Sequence, residues 1–223
     1  MPEYPLQQLL ADIAQALSTE EFDQAARHAL AWFDALNEQK IRQSQVPLAC
    51  REGCSVCCCL RVDVFAHEVF LIARHIGTSF SVRETSDLLA RLAAHSEKVL
   101  PLTPGEHATQ NIVCPLLQNN RCSIYPVRPH ACRRHHSQDF AACQYTFDHP
   151  EDLVTPAAHD RELFQTLTEA MHQNIAAYAR LGFDPTIYEL GTALHEALLD
   201  PETPRHWQQR EEAFVQASVT PPA

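Results

Sequence analysis

Five cysteines crowd into ten positions, from Cys50 to Cys59, in the stretch ACREGCSVCCCL at residues 49–60. A single free cysteine is a good small core residue, but core packing does not call for this concentration of sulfur. Four more cysteines follow at wide spacings: Cys114, Cys122, Cys132 and Cys143. Only a fold can bring such distant side chains together, so any function for both sets requires the two segments to meet.

The length and composition indicate that the chain does not need metal binding by its cysteines merely to stabilise a very small fold. The chain has 223 residues and is 45% hydrophobic, which is enough to bury a core. The N-terminus has neither the basic nor the apolar region of a signal peptide, so we expect a cytoplasmic protein. Stable disulfides are disfavoured in that reducing compartment, where clustered cysteines more often bind metal or do redox chemistry.

The net charge and hydropathy pattern argue against two classes of partner. Seventeen basic and twenty-eight acidic residues give a formal charge of −11, so general nucleic-acid binding is not expected. No run of eighteen apolar residues occurs, so we expect no membrane partner either.

The pattern predicts a mainly α fold with few flexible joints, since the chain has five glycines and fifteen prolines. Capping-box spacing at Ser18 and Ser81 predicts the start of two helices, and a further helix is expected over 64–76. A shorter helix is expected over 6–17, and residues 101–113 are predicted to be a linker.

The C-terminal third is predicted to be helical over about 155–180, 185–199 and 204–217. Each of these helices would begin at a proline that follows a capping side chain, and Gly182 would end the first. Between them and the first half, Asn119-Asn120 predicts a short β-hairpin followed by irregular backbone.

The predicted organisation has three parts that together form one compact unit. N-terminal helices occupy 1–47, a cysteine-cluster metal-binding region occupies 48–145, and C-terminal helices occupy 146–223. The cysteines lie in two irregular segments, 50–59 and 114–143.

The spacing of the thiols favours metal chelation over other sulfur chemistry. Cys54-x2-Cys57 allows two sulfurs to bind one ion. The adjacent Cys57 and Cys58 are expected to point apart and to serve different metals, or one metal and one packing role. A thioredoxin-like redox pair would need a βαβ context that is missing here. Cys50-x3-Cys54-x2-Cys57 matches the spacing of radical S-adenosylmethionine enzymes, but the alternating strands and helices of such enzymes are also missing.

These residues resemble the cysteine-cluster proteins often called YkgJ-like, with the signature CxxCxxCC, which are described as zinc- or iron-chelating. The first half of the signature corresponds to Cys50 and the stretch GCSVCC, residues 53–58. The second half corresponds to CPLLQNNRCSIYPVRPHACR, residues 114–133, and a later family cysteine corresponds to Cys143. The spacing after Cys50 is three residues where the family often has two.

The resemblance implies eight metal ligands: Cys50, Cys54, Cys57, Cys58, Cys114, Cys122, Cys132 and Cys143. They would form two four-sulfur sites, or one cluster and a separate zinc, with Cys59 as the spare thiol. An iron–sulfur cluster and Zn²⁺ both suit all-sulfur ligation, with the resemblance slightly favouring iron–sulfur. The family also has a glutamate in the helix after the first cluster, which Glu68 matches.

Other functions stay open on the sequence alone. The family includes flagellin lysine N-methylases, so a metal-dependent modifying enzyme is one alternative, with Glu68 or His135 handling protons. A structural zinc beneath a protein-binding surface is another. His130, His135 and His136 are interpreted as a polar, partly exposed loop rather than as ligands, and Arg128, Arg133 and Arg134 as charge compensation for the cluster.

Overall fold

A computed structural model describes residues 6–155 and 158–217. In the first half of the chain it contains five α-helices and one short strand: α1 Leu6–Gln15, α2 Thr19–Gln43, β1 Asp63–Val64, α3 Ala66–Ser79, α4 Val82–Val99 and α5 Pro104–Ala108. A single 3₁₀ turn, Val56–Cys59, precedes β1.

The second half contains five more helices among the described residues. The elements are β2 Leu117–Gln118, β3 Arg121–Cys122, α6 His130–Arg134, α7 Phe140–Asp148, α8 Arg161–Arg180, β4 Tyr188–Glu189, α9 Leu190–Leu199 and α10 Thr203–Gln208. A second 3₁₀ turn, Tyr125–Val127, lies between β3 and α6.

The mainly α prediction is confirmed, and so is the hairpin. Strands β2 and β3 pair antiparallel through a turn in which Asn119 and Asn120 both have positive φ, as tight hairpin turns require. The only other described strand pair joins β1 to β4, also antiparallel, across more than 120 residues of chain.

Helix α2 shows why the helices form where they do. The Ser18 hydroxyl oxygen accepts a hydrogen bond from the Glu21 backbone N–H, and the Glu21 carboxylate accepts one from the Ser18 backbone N–H, which completes the expected capping box. The buried residues of α2 recur every three or four positions, so one face of the helix packs inward. They are Phe22, Ala25, Ala26, Ala29, Leu30, Phe33 and Leu36. The same kind of cap begins α4 at Ser81, again as predicted.

The core has two parts. The larger part collects buried side chains from α1, α2, α3, α4 and α9, and Trp207 packs against Phe22 and Phe183 within it. The smaller part lies between α2 and α8, around Phe33 and Leu167. Cys114 and Cys122 pack against the edge of the larger part, so this core supports the cysteine segments from one side.

Several predicted boundaries are wrong, for identifiable reasons. Helix α8 begins after Asp160, whose side chain accepts from the Leu163 backbone, and not at 155; Pro156 of the predicted start lies outside the described residues. Helix α9 begins only at Leu190, because residues 188–189 pair with β1. The predicted linker contains α5, and the predicted irregular segment contains α6 and α7.

The helices were also compared with the length and hydropathy of a membrane span. Within the described ranges, no helix combines enough length with enough apolar character to cross a bilayer.

We expect the larger core part to dominate stability. Leu92 on α4 is fully buried, so Leu92→Ala should lower the free energy of unfolding by about 2–5 kcal/mol, through lost burial and the cavity left behind. Urea unfolding followed by circular dichroism measures this. The matched control is Leu100→Ala, whose side chain is 53% exposed; an equal loss in both variants would contradict the assignment.

Candidate metal centre

The first cysteine segment folds into a tight turn followed by the 3₁₀ turn. The Cys54 backbone N–H donates to the Arg51 carbonyl at 3.1 Å, and Gly53 between them has φ +82°. Side chains rarely adopt that conformation, so the glycine of the GCSVCC stretch is required by the backbone. The turn aims the following residues, Val56–Cys59, toward the second cysteine segment.

Backbone hydrogen bonds join the two segments. The Cys114 N–H donates to the Cys58 carbonyl at 2.8 Å, and the Ile112 N–H donates to the Cys59 carbonyl at 3.3 Å. At the other end, the Ala49 N–H donates to the carbonyl of Ser137 at 2.8 Å. The first segment is therefore held near both of its ends against the second segment.

Four thiols interact closely on the buried side of this junction, and we call them the inner group: Cys57, Cys114, Cys122 and Cys132. Burial raises the pKa of the Cys132 thiol, and the charges of the other three raise it further. Burial likewise raises the pKa of Cys114 to about 12, with Cys122 adding to the effect. Without a cation nearby, these sulfurs are therefore held as protonated thiols at neutral pH.

Three more cysteines surround Cys57 on the open side. The exposed Cys50 interacts electrostatically with Cys54, Cys57 and Cys143, the last of which is carried by α7. Cys57 therefore stands between the two sets of thiols. The structure brings the first and second segments together as the sequence led us to expect, although which sulfurs bind metal stays a prediction.

The expectation that Cys57 and Cys58 point apart is wrong. Their side chains hydrogen-bond to each other, and this bond is the largest cause of the raised pKa of Cys57. Both lie within one short 3₁₀ turn. Cys59, the expected spare thiol, is buried beside Cys57 and Cys114.

The cysteine sulfurs are suitable donors for a soft metal, although they lie near one another without pointing at a common centre. Among residues 6–155 and 158–217, no three His, Cys, Asp or Glu side chains already stand in a ligating arrangement. Thiols of raised pKa in a shared buried site are stabilised as thiolates by a cation, and thiolate is the ligand preferred by zinc and by iron–sulfur clusters. The residues present therefore fit either group.

Arg128 supplies the positive charge at this junction. Its guanidinium lies 4.1 Å from the ring centroid of Tyr125, and its buried Nε has no hydrogen-bond partner among the described residues. The same charge lowers the pKa of Cys57, Cys122 and Cys132, against the effect of burial. It therefore favours the thiolate form of three inner sulfurs, which agrees with the interpretation of Arg128 as charge compensation.

The other two arginines have different partners. Arg133 ion-pairs with Asp34 of α2 and donates to the carbonyls of Pro126 and Arg128, so it mainly fixes the turn before α6. Arg134 donates to Thr168 of α8. Asp34 was missed by sequence reasoning, because its spacing on α2 indicates only a polar residue and says nothing of a partner 99 positions away.

Glu68 is a buried structural anchor for the helix that carries Cys132. One carboxylate oxygen accepts from the Phe65 backbone at 3.0 Å, which caps α3. The other accepts from the backbone N–H and from Nδ1 of His130, both at 2.8 Å, at the start of α6. Burial alone would raise the pKa of Glu68, but these bonds and the charge of His130 lower it to about 2. The carboxylate is therefore ionised and links two helices.

The interpretation of the three histidines as a partly exposed loop is wrong for His130 and His136, which are buried. His130 is held by Glu68. His136 uses both ring nitrogens, with Nδ1 donating to the Arg134 carbonyl at 2.9 Å and Nε2 accepting from the Asp160 backbone. His135 packs edge-on against His159, and burial lowers its pKa to about 4.

Loss of the Glu68 charge should destabilise the junction. We expect Glu68→Gln to lower the free energy of unfolding by about 1–3 kcal/mol, because an amide cannot accept all three hydrogen bonds. The native protein should also lose stability as the pH falls from about 4.5 toward 2, since the folded pKa lies below the usual 4.5. The variant should lack that part of the pH dependence.

Urea unfolding at several pH values tests this expectation. Glu84→Gln is the matched control, because Glu84 completes the capping box of α4 on the exposed surface. It should cause a smaller loss of stability. Equal losses for the two variants would contradict the role of Glu68 as a buried link.

Loss of the Arg128 charge should weaken metal retention. We expect Arg128→Gln to bind metal about 10–100-fold more weakly, the usual effect of removing a partner that supports metal ligands. Competition with a chelator measures the affinity. Arg121→Gln is the control, because Arg121 lies nearby but is exposed and pairs with Glu52. Unchanged affinity in Arg128→Gln would show that its charge is not needed.

Comparison with known proteins agrees with this site. Residues 49–149 match the sequence model of one family, CxxCxxCC, whose description reads "Putative zinc- or iron-chelating domain". Comparisons with curated proteins and with solved structures gave no significant match. The match spans both cysteine segments and the helices between them, and it confirms the resemblance inferred from the sequence. Residues 49–149 are thus similar to the CxxCxxCC family, whose described role is the chelation of zinc or iron.

Proposed function

We propose that this protein holds an iron–sulfur cluster through the cysteines of its two segments. The ligands would be the eight that the sequence singled out: Cys50, Cys54, Cys57, Cys58, Cys114, Cys122, Cys132 and Cys143. The inner group would form one four-sulfur site, and the remaining four cysteines would form a second site on the open side of Cys57.

The mutual interaction of the four inner thiols carries this proposal. Cys57 comes from the first segment and the other three from the second, yet the charges of Cys57, Cys114 and Cys122 all raise the pKa of Cys132. Cys122 also raises the pKa of Cys114, and Cys57 raises that of Cys122. Unpaired buried thiols close to one another gain no stability from that proximity. A bound metal or cluster would make this proximity favourable, since it compensates the charge of all four thiolates at once.

The charge around the site supports a bound group that carries net negative charge. Residues 49–149 contain ten basic and nine acidic residues, whereas the rest of the chain contains seven and nineteen. Four thiolates around a cluster or a zinc ion leave excess negative charge, and Arg128 faces three of the inner sulfurs. Residues 49–149 thus lack the excess of acidic residues that the rest of the chain carries.

Zinc and an iron–sulfur cluster are distinguished by elemental and acid-labile sulfide analysis of protein purified anaerobically from cells supplied with both metals. The proposal expects iron with sulfide, and a broad visible absorption that bleaches on one-electron reduction. Colourless protein with stoichiometric zinc would show that the cysteines bind zinc and not a cluster, and it would favour a structural role. Protein free of both metals after reconstitution would overturn chelation altogether.

Two cysteine variants test the proposed grouping. Cys57 interacts electrostatically with thiols of both sets, so Cys57→Ser should lose at least half of the bound metal. Cys59 is equally close in sequence but is proposed as the spare thiol, so Cys59→Ser should retain the wild-type content. Metal analysis after identical anaerobic purification compares them; equal loss in both variants would refute the grouping.

A further inference from the structure

A second polar site lies beside the cysteines and brings together nitrogen and oxygen groups from three other elements. His95 of α4, His107 of α5 and Glu189 of β4 line a cavity of about 10 Å³. That volume is about what one water molecule or one ion needs. Glu189 lies far from the two histidines in sequence, and the spacing gives no sign that the three residues meet.

The side chains around this cavity are buried and incompletely satisfied. His95 Nε2 lies 3.1 Å from a Glu189 carboxylate oxygen, in a pair that is almost fully buried. His107 is 1% exposed, yet its Nδ1 has no hydrogen-bond partner among the described residues. A buried polar atom without a partner costs free energy, which makes a missing ligand in the adjacent cavity a physical expectation.

The charge states suit a cation. Burial would raise the pKa of Glu189, but its bonds to His95 and to the α9 backbone lower it, so the carboxylate is ionised. Burial lowers the pKa of His107, so its imidazole is neutral at neutral pH. One carboxylate and two imidazoles form the donor set that binds zinc in some hydrolases and ferrous iron in oxygenases.

The backbone is shaped to admit His95. A Cβ at Gly191 would lie 2.6 Å from His95 Nε2 and closer still to the neighbouring ring carbon. Any larger residue at this position would push the imidazole away from Glu189. Glycine at position 191 therefore leaves the space that the His95 ring occupies at the edge of the cavity.

The three groups could meet on one ion with small movements. The ring centroids of His95 and His107 are 6.2 Å apart. Two imidazoles that bind one ion at about 2 Å bring their centroids to about 5–6 Å. The side chains surround the cavity without having converged on it, as is also true of the cysteines.

We propose that His95, His107 and Glu189 form a nitrogen- and oxygen-ligated site for a divalent transition ion, Zn²⁺ or Fe²⁺, separate from the cysteine-bound metal. Cys114 lines the same cavity, so the two sites share a wall. Three protein ligands leave a coordination position open. The proposal does not depend on the nature of the sulfur-bound group.

Titration of the full-length holoprotein with Co²⁺ tests the proposal. Wild-type protein should bind one equivalent with weak visible d–d absorption and without the strong near-ultraviolet band of thiolate-to-cobalt charge transfer. X-ray absorption at the cobalt edge should show nitrogen and oxygen neighbours, including imidazole, and no sulfur. That measurement requires no variant and therefore does not depend on whether a substitution folds.

Variants then assign the ligands. His107→Ala and Gly191→Ala should each weaken cobalt binding at least 10-fold, the first by removing a ligand and the second by displacing His95. His28→Ala is the control, since this histidine is exposed and should leave binding unchanged. The metal content of the cysteine sites should be the same in all four proteins.

Three results would overturn the proposal. The first is wild-type protein that binds no cobalt beyond the cysteine sites, which would leave the cavity with a water molecule only. The second is sulfur in the cobalt spectrum, which would make the ion part of the cysteine site. The third is equal cobalt binding in His107→Ala, Gly191→Ala and wild type. Failure of cysteine chelation itself would appear separately, as missing iron and zinc in the untreated protein.

Discussion

The carboxylate of Glu68 is the interaction on which the arrangement of the cysteine segments depends. Buried backbone N–H groups need acceptors, and helix α6 begins in the interior, where water is absent. Glu68 supplies the acceptor for the first N–H of α6 while it also caps its own helix α3. One ionised group therefore fixes the direction from which Cys132 approaches the junction. The fold and the proposed site depend on the same polar contact.

Local signals in the sequence predicted the helices well where capping and periodicity agreed, as at Ser18 and Ser81. The same signature at Thr103 and Glu106 was overlooked, because it lies in a short segment that was interpreted as a linker. Asp184-Pro185 was a misleading signal. Its helix starts later since residues 188–189 pair with β1, and no local pattern encodes a pairing across the whole chain.

The candidate metal centre, like the fold, was predictable from the sequence only in part. Cysteine density and the family signature identified the two segments and their meeting, since these depend on residue type and spacing. Which thiols lie beside which could not be inferred, because that depends on the 3₁₀ turn at Val56–Cys59 and on hydrogen bonds such as Cys114 N–H to the Cys58 carbonyl. The cavity between His95 and Glu189 was beyond prediction, because these residues are 94 positions apart and belong to no motif.

The exposure of the cysteines changes steeply over a short stretch of chain. Cys50 is exposed, Cys54 and Cys57 are half-buried, and Cys59 is buried, all within ten residues. A species that diffuses in from solvent, whether a metal ion or an oxidant, therefore reaches the Cys50 sulfur more readily than the buried Cys59 sulfur at the other end of the segment. The turn at Gly53 thus marks the point at which this segment passes from solvent into the interior of the protein.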